Sequence, residues 1–314
     1  MFKRSPGDKV FDTFLYAFMV LLTLAFLYPF WKVIVMAFNE ANDTSLGGTL
    51  LWPRKFTLQN FKVVFQNDLI YSSYLITISR TVLGTITSVV ATALFAYGLS
   101  KKKLMFRNFY LTLCFITLFF SGGLIPSVIN MTNLGFSNNY LVYIIPAMYG
   151  IMAMIIMKSF FNSLPAALEE SAMIDGANDF SIFFWIVFPS SMPVIATIGL
   201  MNAVSQWNAW IDAYIYISKE SLMPVQLVLQ RVIQGSSAAS EITKMVSSDE
   251  ILSRRVTPYS IQLATIVVAI GPIILIYPFF SEIFCQRLSD RRHEGVVPFG
   301  SSVASIRTAD SSNI

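Results

Sequence analysis

Long apolar stretches separated by short polar clusters run the length of the chain, and their lengths decide which elements it can form. Residues 13–31, 81–100, 108–157, 180–211 and 256–281 contain no Asp, Glu, Lys, Arg or His. Crossing a hydrocarbon core about 30 Å thick takes about 20 apolar residues in a helix. Each run therefore suffices for one crossing, and the run 108–157 suffices for two with a turn near 130–139. Six transmembrane helices are the expectation. The first apolar stretch, 14–36, follows Lys3 and Arg4 as a secretion signal would. It exceeds the roughly 7–15 residues of a signal core and lacks a small-residue cleavage site, so it reads as a retained helix.

Residues 164–193, LPAALEESAMIDGANDFSIFFWIVFPSSMP, break the apolar pattern with charge and a glycine hinge. Ser163 is placed to cap a helix that Pro165 opens, Glu169 and Glu170 fall where the helix dipole favours acids, and Gly176 stops it. Asn178 or Asp179 then caps a second helix with Phe180, Phe183, Phe184 and Val187 on one face, before Pro189 and Pro193 lead into the next apolar run. Helix, glycine turn and helix make a docking element, with an ordinary interfacial helix as the bland alternative.

Composition agrees with a membrane location. Of 314 residues, 55% are hydrophobic and 13% charged, and the mean hydropathy is +0.61, more apolar surface than a soluble domain of this length can bury. An even number of spans puts both termini on one side. Lys101, Lys102, Lys103 and Arg107 place four bases and no acid within seven positions, which marks that side as cytoplasmic, whereas outer loops mix bases with Glu220, Glu241, Asp249 and Glu250. The one histidine, His293, lies among Arg291, Arg292 and Glu294, so no histidine triad or metal site can be assembled. No Walker-type phosphate loop occurs either. The chain is therefore not expected to be an enzyme or to hold a cofactor or metal. Cys114 and Cys285 fall in expected membrane helices, so no disulfide is expected. An ion-coupled transporter would keep an ionisable group near the middle of a span, yet Asp212 and Glu282 lie only at the edges of the uncharged runs.

Within the glycine-hinged interval, Glu170-Ser171-Ala172, Asp175-Gly176-Ala177, Phe180, Ile186, Pro189 and Pro193 resemble the EAA loop of ABC-importer permeases, with Ser171 in place of the first alanine. Trp52-Pro53, Phe56-Thr57-Leu58-Gln59-Asn60-Phe61, Arg80-Thr81-Val82-Leu83-Gly84-Thr85, Ala96-Tyr97-Gly98-Leu99-Ser100 and Phe119-Phe120-Ser121-Gly122-Gly123-Leu124-Ile125-Pro126 are similar to carbohydrate-uptake permeases of the maltose type, in the branch associated with oligosaccharide or polysaccharide-fragment uptake. The resemblance covers about residues 10–280. It implies an all-α integral membrane protein with the type I importer (MetI-like) fold, six transmembrane helices and a cytoplasmic EAA coupling helix. The implied organisation is a cytoplasmic amino terminus over 1–12, a permease domain over 13–284 with its coupling loop at 162–193, and a polar, partly disordered cytoplasmic tail over 285–314. Glu169, Glu170, Ser171, Ala172, Asp175, Gly176, Ala177 and Phe180 are the implied ATPase-coupling residues.

The implied partners are a second permease subunit in a hetero-dimer, two copies of an ATP-binding subunit, an extracytoplasmic solute-binding protein and the lipid bilayer of the cell membrane, with no nucleic acid. ATP hydrolysis by the partners would drive alternating access for a carbohydrate. A non-sugar cargo in the same superfamily, or an ion-coupled transporter, is the alternative. At the carboxyl end, Phe284-Cys285-Gln286-Arg287-Leu288 and then Asp290-Arg291-Arg292-His293-Glu294 depart from the Lys-Gly-containing ending common in the family. From Gly295 onward the chain is polar with no apolar period and reads as disordered.

The fifth span carries Asn202, Ser205, Gln206, Asn208 and Asp212 beside Trp207, Trp210 and Tyr214. Asn202 and Gln206, four apart, share a helix face. Hydrogen bonding between helices plus an aromatic belt accounts for this set. So does a sugar path, in which amides bond hydroxyls and rings stack on pyranose faces. On that second reading the path residues are Asn202, Gln206, Trp207, Asn208 and Trp210. The small residues of the second span, Gly84, Thr85, Ser88 and Ala91 among them, read as a close-packed helix interface.

Overall fold

The computed structural model describes residues 6–47, 51–148, 150–234, 256–272 and 274, and among these the backbone is helical except for links and one isolated bridge between Asn39 and Phe56. The helices are α1 (Pro6–Ala37), α2 (Ala41–Leu46), α3 (Gln59–Phe65), α4 (Asp68–Ser100), α5 (Arg107–Phe119), α6 (Leu124–Asn133), α7 (Ile151–Asn162), α8 (Ala166–Ile174), α9 (Asp179–Ile182), α10 (Phe188–Ser190), α11 (Met192–Asn208), α12 (Ile211–Tyr216), α13 (Val225–Ile233) and α14 (Pro258–Pro272). A π turn, Phe183–Val187, joins α9 to α10, and 3-10 turns occupy Tyr140–Tyr143 and Glu220–Leu222.

Two helices, α1 from Lys9 and α4, are each long and apolar enough to cross a membrane. Three further candidates pass the same test only when helices adjoining at a bend, α5 with α6, α7 with α8, and Asp179–Ser190 with α11, are taken together as one span. The remainder of the last apolar run lies outside the described residues, as do Cys285, His293 and the tail over 285–314.

Two boundaries differ from the sequence expectation. The run 108–157 does turn within the expected interval, where α6 ends at Asn133 and Gly135 adopts φ +78, but it also breaks earlier, at residues 120–123, because Phe120 is extended and Gly123 adopts φ +87, a left-handed conformation that glycine takes without a Cβ clash. α4 starts at Asp68 and continues for 33 residues, about 50 Å. Residues 68–79, which precede the uncharged run 81–100, are therefore its first turns, and Arg80 is inside the helix. Charge marks a helix end only when it cannot be neutralised in place, and Arg80 is neutralised.

The chain divides into two compact units. The first comprises Met1–Thr85, Gly122–Ala147 and Val204–Ile273. Its core joins Val64, Ile70, Tyr143, Met223, Leu227 and Ala264, and polar bonds register it: Tyr143 Oη donates to the Leu222 carbonyl at 2.7 Å, and the Val225 N–H donates to Thr77 Oγ1 at 2.9 Å. Behind α1, Asn60 Nδ2 donates to the Ala37 and Asn39 carbonyls at 2.8 and 3.0 Å, and Phe38 stacks on Phe56 with ring centroids 5.7 Å apart. Most of α1 is bare: Phe11, Phe14, Phe26 and Phe30 are all exposed, the state of a helix meant for lipid or for another chain.

The second unit comprises Ile86–Ser121, Met148–Ala203 and Ile274–Ile314. Tyr97, Cys114, Met154, Met157, Phe161, Ile182, Phe183 and Val187 form its core, with Cys114 a free, buried thiol.

Candidate functional site

The interval 164–193 folds in the second unit as helix, left-handed turn and helix. Ser163 does not cap α8. It has helical dihedrals (φ −87, ψ −9) and ends α7, its hydroxyl donating to the Phe160 carbonyl at 2.7 Å, whereas an N-cap needs the extended backbone that Pro165 adopts. At the other end Gly176 takes φ +82. The Gly176 N–H donates to the Met173 carbonyl at 3.1 Å and the Ala177 N–H to the Ala172 carbonyl at 3.0 Å, the paired bonds of a Schellman stop. Asn178 caps α9 by accepting from the Ser181 N–H at 2.8 Å, and Asp179 is the first residue of that helix.

Burial sorts the expected coupling residues. Ala172 is in the core, Glu169 and Ala177 are half-buried, and Glu170, Ser171, Asp175, Gly176 and Phe180 are exposed. Phe180, Phe183, Phe184 and Val187 do not share one face as helical spacing predicts. Phe183 and Val187, the two ends of the π turn over 183–187, are buried while Phe180 and Phe184 are exposed. Outward, the element presents Ile174 at 86% exposure, Phe180 at 69% and Trp185 at 81%, apolar side chains left uncovered around a glycine turn.

An ionic link fixes the element to the end of α4. Lys101 pairs with Glu169, and its ammonium stands 4.1 Å from the centroid of the Tyr97 ring, itself 5.1 Å from that of Phe183. Burial pulls the Lys101 pKa down, but the Glu169 hydrogen bond and the adjoining Tyr97 outweigh it, and the net direction is up from the ordinary lysine value. Lys101 thus stays charged at neutral pH and holds α8 against α4.

A second polar centre lies in the first unit around Arg80, which is 1% exposed. All five guanidinium N–H donors are used. Nε and Nη2 donate to Gln206 Oε1 at 3.3 and 3.0 Å, Nη1 to the Ala209 carbonyl at 3.2 Å and Asp212 Oδ1 at 3.3 Å, and Nη2 to Asp212 Oδ2 at 2.5 Å. The Tyr143 ring covers the guanidinium at 4.2 Å, and Gln206 Nε2 donates to the Tyr143 carbonyl at 3.2 Å. Gly84, one turn after Arg80 on α4, leaves room for this: a Cβ there would stand 2.6 Å from Gln206 Nε2. Removing one partner from such a pair strands a buried charge, at a cost of about 3–5 kcal/mol.

The expected path residues lie on or next to α11. Gln206 belongs to the arginine cluster. Asn202 Nδ2 donates to Ser88 Oγ at 3.3 Å in the second unit, and Trp207 is buried with its indole N–H donating to the Ala269 carbonyl at 3.4 Å in the first. Asn208 is exposed, its Nδ2 donating to the Val204 carbonyl at 2.9 Å. Trp210 is half-buried and meets the exposed Tyr214 edge-on with ring centroids 6.0 Å apart. Sequence reasoning missed Arg80 and Tyr143, and it read Gly84 as part of a close-packed helix interface without finding that the side chain against it is Gln206. Arg80 and Gly84 at a spacing of one turn, with Gln206 and Asp212 at complementary positions, were the available signal. Among the described residues no group of three His, Cys, Asp or Glu side chains could hold a metal.

Residues 108–290 match the model of the family described as binding-protein-dependent transport system inner membrane component. The chain belongs to this family. As such a component, it is a transporter permease subunit, with partners of three general kinds: a further permease subunit, an ATPase and a solute-binding protein. The component is 36% identical over 280 residues to the polygalacturonan/rhamnogalacturonan transport system permease protein YtcP of Bacillus subtilis (strain 168), covering 89% of this chain and 96% of that protein. It is 34% identical over 284 residues to Protein LplC of the same organism, covering 90% of this chain and 94% of that one. Among solved structures, it matches a chain of a bacterial ABC transporter involved in the import of the acidic polysaccharide alginate with a TM-score of 0.84 at 28% identity, over 90% of this chain and 100% of that one. The fold is therefore the importer-permease fold.

Proposed function

We propose that this permease moves a carbohydrate of oligosaccharide size across the cell membrane by alternating access, with residues 162–193 as the cytoplasmic element through which two copies of an ATP-binding subunit drive it. One observation carries the coupling role: a helix with a Schellman stop that turns Ile174, Phe180 and Trp185 outward while Lys101 and Glu169 pin it to α4. Exposed apolar groups on a braced element suit a cleft on another chain, and the bracing transmits force from that chain to a membrane helix. Glu169, Glu170, Ser171, Ala172, Asp175, Gly176, Ala177 and Phe180 are the coupling residues. Nucleotide and loaded binding protein must each favour the outward-open state over the inward one, which is why no partner is dispensable.

Six spans, with residues 1–12 and 285–314 both cytoplasmic around a domain over 13–284, complete the reading. The basic cluster at 101–107 beside the coupling element supports that orientation. Names of relatives support a carbohydrate cargo: one is a polygalacturonan/rhamnogalacturonan transport system permease, and the other belongs to a transporter involved in the import of the acidic polysaccharide alginate. For the path, Asn202, Gln206, Trp207, Asn208 and Trp210 are the candidates, of which Asn208 is exposed and Trp210 half-buried.

Reconstitution tests this. The chain, purified in vesicles with a second permease, the ATPase and the cognate binding protein, is expected to import oligogalacturonides only with ATP inside and binding protein outside. Uptake without the ATPase ends the proposal; uptake of a non-sugar solute alone overturns the cargo. Trp210→Ala and Asn208→Ala are each expected to raise the cargo concentration for half-maximal uptake about five- to tenfold, the size of one lost hydrogen bond or ring contact. Unchanged kinetics assign the set to packing.

A further inference from the structure

The helix that carries the path candidates breaks between Asn208 and Ile211, and backbone broken inside a membrane protein needs its polar groups satisfied by neighbours. In a continuous helix the Ala213 N–H would donate to the Ala209 carbonyl. Here the Ala213 N–H donates instead to Asp212 Oδ1 at 2.8 Å, and the Ala209 carbonyl accepts from Arg80 Nη1 at 3.2 Å. Arg80 and Asp212, themselves an ion pair, thus take up one donor–acceptor pair that the break separates.

The same cluster grips both sides of the break. Before it, Gln206 is held by Arg80 and by the Tyr143 carbonyl. After it, Asp212 is held by Arg80, and the end of α12 is tied by Asn138, whose N–H donates to the Tyr216 carbonyl at 2.9 Å and whose Oδ1 accepts from the Ser218 and Lys219 N–H groups at 2.7 and 3.1 Å. Between the grips lie Asn208, exposed with only its Nδ2 engaged, and Trp210, whose non-helical backbone (φ −135, ψ −22) turns its ring toward Tyr214. A buried, rigid, five-donor fork is the side chain suited to such a task, since lysine has only three donors and no plane.

We propose that Arg80 is a positioning residue for cargo: by clamping Gln206, the Ala209 carbonyl and Asp212 it fixes the break that presents Asn208, Trp210 and Tyr214 to the saccharide. This rests on the proposal that the break lines the path. Arg80 itself touches no cargo. Asn208 Oδ1 serves a sugar hydroxyl, and the Trp210–Tyr214 pair serves an apolar sugar face.

The test uses the complete reconstituted transporter with oligogalacturonides as probe, comparing Arg80→Lys, Asp212→Asn, Gly84→Ala, Asn208→Ala and Trp210→Ala. Arg80→Lys, which keeps the charge, is expected to raise the half-saturating concentration about five- to tenfold, the equivalent of one lost hydrogen bond, with the maximal rate and the thermal stability of the complex changed much less; Asp212→Asn is expected to raise it likewise and also to lower thermal stability, because it strands the buried guanidinium. If Asn208→Ala and Trp210→Ala leave half-saturation unchanged, the path proposal is the one that fails. If those two raise it and the Arg80 and Asp212 variants do not, Arg80 is structural only. Should Arg80→Lys prevent assembly, Gly84→Ala decides, because it keeps the ion pair and displaces only Gln206; an unaltered half-saturation there overturns the proposal. Independently of cargo, Asn208→Cys in the assembled transporter is expected to react with a membrane-impermeant maleimide at a rate that Asp212→Asn changes severalfold. Equal rates in both backgrounds count against it.

Discussion

Replacing Gly176 with valine is expected to lower uptake by the reconstituted transporter at least about tenfold while leaving the amount of chain in the membrane unchanged. Gly176 sits at φ +82, where a β-branched residue is a steric outlier, and left-handed backbone costs an ordinary residue about 1–2 kcal/mol, close to tenfold in population. Nothing within 4 Å would meet an added Cβ. The damage within this chain is therefore to the backbone alone: the two bonds of the Schellman stop loosen, and α8 no longer ends where Asn178 begins α9. Gly176→Asn separates that effect from the coupling surface, since asparagine tolerates left-handed backbone but fills the same open space. A docked ATPase using that space makes the asparagine variant defective as well. Full uptake by the asparagine variant puts the whole effect in the backbone, and normal uptake by the valine variant removes the element from the coupling path.

How much of this was legible depended on whether the signal was local. Gly176 as a stop and Asn178 as a cap follow from neighbours within three or four residues, and both stand in the structure. Ser163 failed as a cap on equally local grounds: the serine continued the preceding helix by one residue, and a side chain's cap preference does not reveal which helix it will join. Arg80 was illegible for another reason. Its partners Tyr143, Gln206 and Asp212 lie between 63 and 132 residues away, so a rule that ends a span at a charge had no means of seeing that the charge is neutralised within it. Gly84 was legible as a close-packing position, but the same nonlocality hid which side chain, Gln206, fills the space beside it. The amides of the fifth span had two open readings. For Asn202 and Gln206 the structure supplies partners within the chain, and it leaves Asn208 and the Trp210–Tyr214 pair facing outward.

Adjacent phenylalanines give the sharpest stability contrast. Phe183→Ala is expected to destabilise the chain by about 3–5 kcal/mol, the cost of emptying a fully buried aromatic site, whereas Phe184→Ala is expected to cost about 0.5 kcal/mol or less. Phe183 is 0% exposed, and its ring lies 5.1 Å from that of Tyr97, 4.9 Å from that of Phe184 and 5.7 Å from that of Phe188, while Phe184 is 45% exposed. Adjacent residues in a helix point about 100° apart, and here the first of the two turns into the core and the second out of it. Thermal unfolding of the solubilised complex reads the difference: about 10 °C lower for Phe183→Ala at roughly 2–4 °C per kcal/mol, and close to unchanged for Phe184→Ala. Equal shifts refute the burial contrast. Because Phe183 backs Tyr97, which in turn supports Lys101 and its pair with Glu169, the Phe183 variant is also expected to hydrolyse ATP without cargo dependence at temperatures where it is still assembled. A variant that is destabilised yet still tightly coupled would show that the ionic link alone transmits the motion.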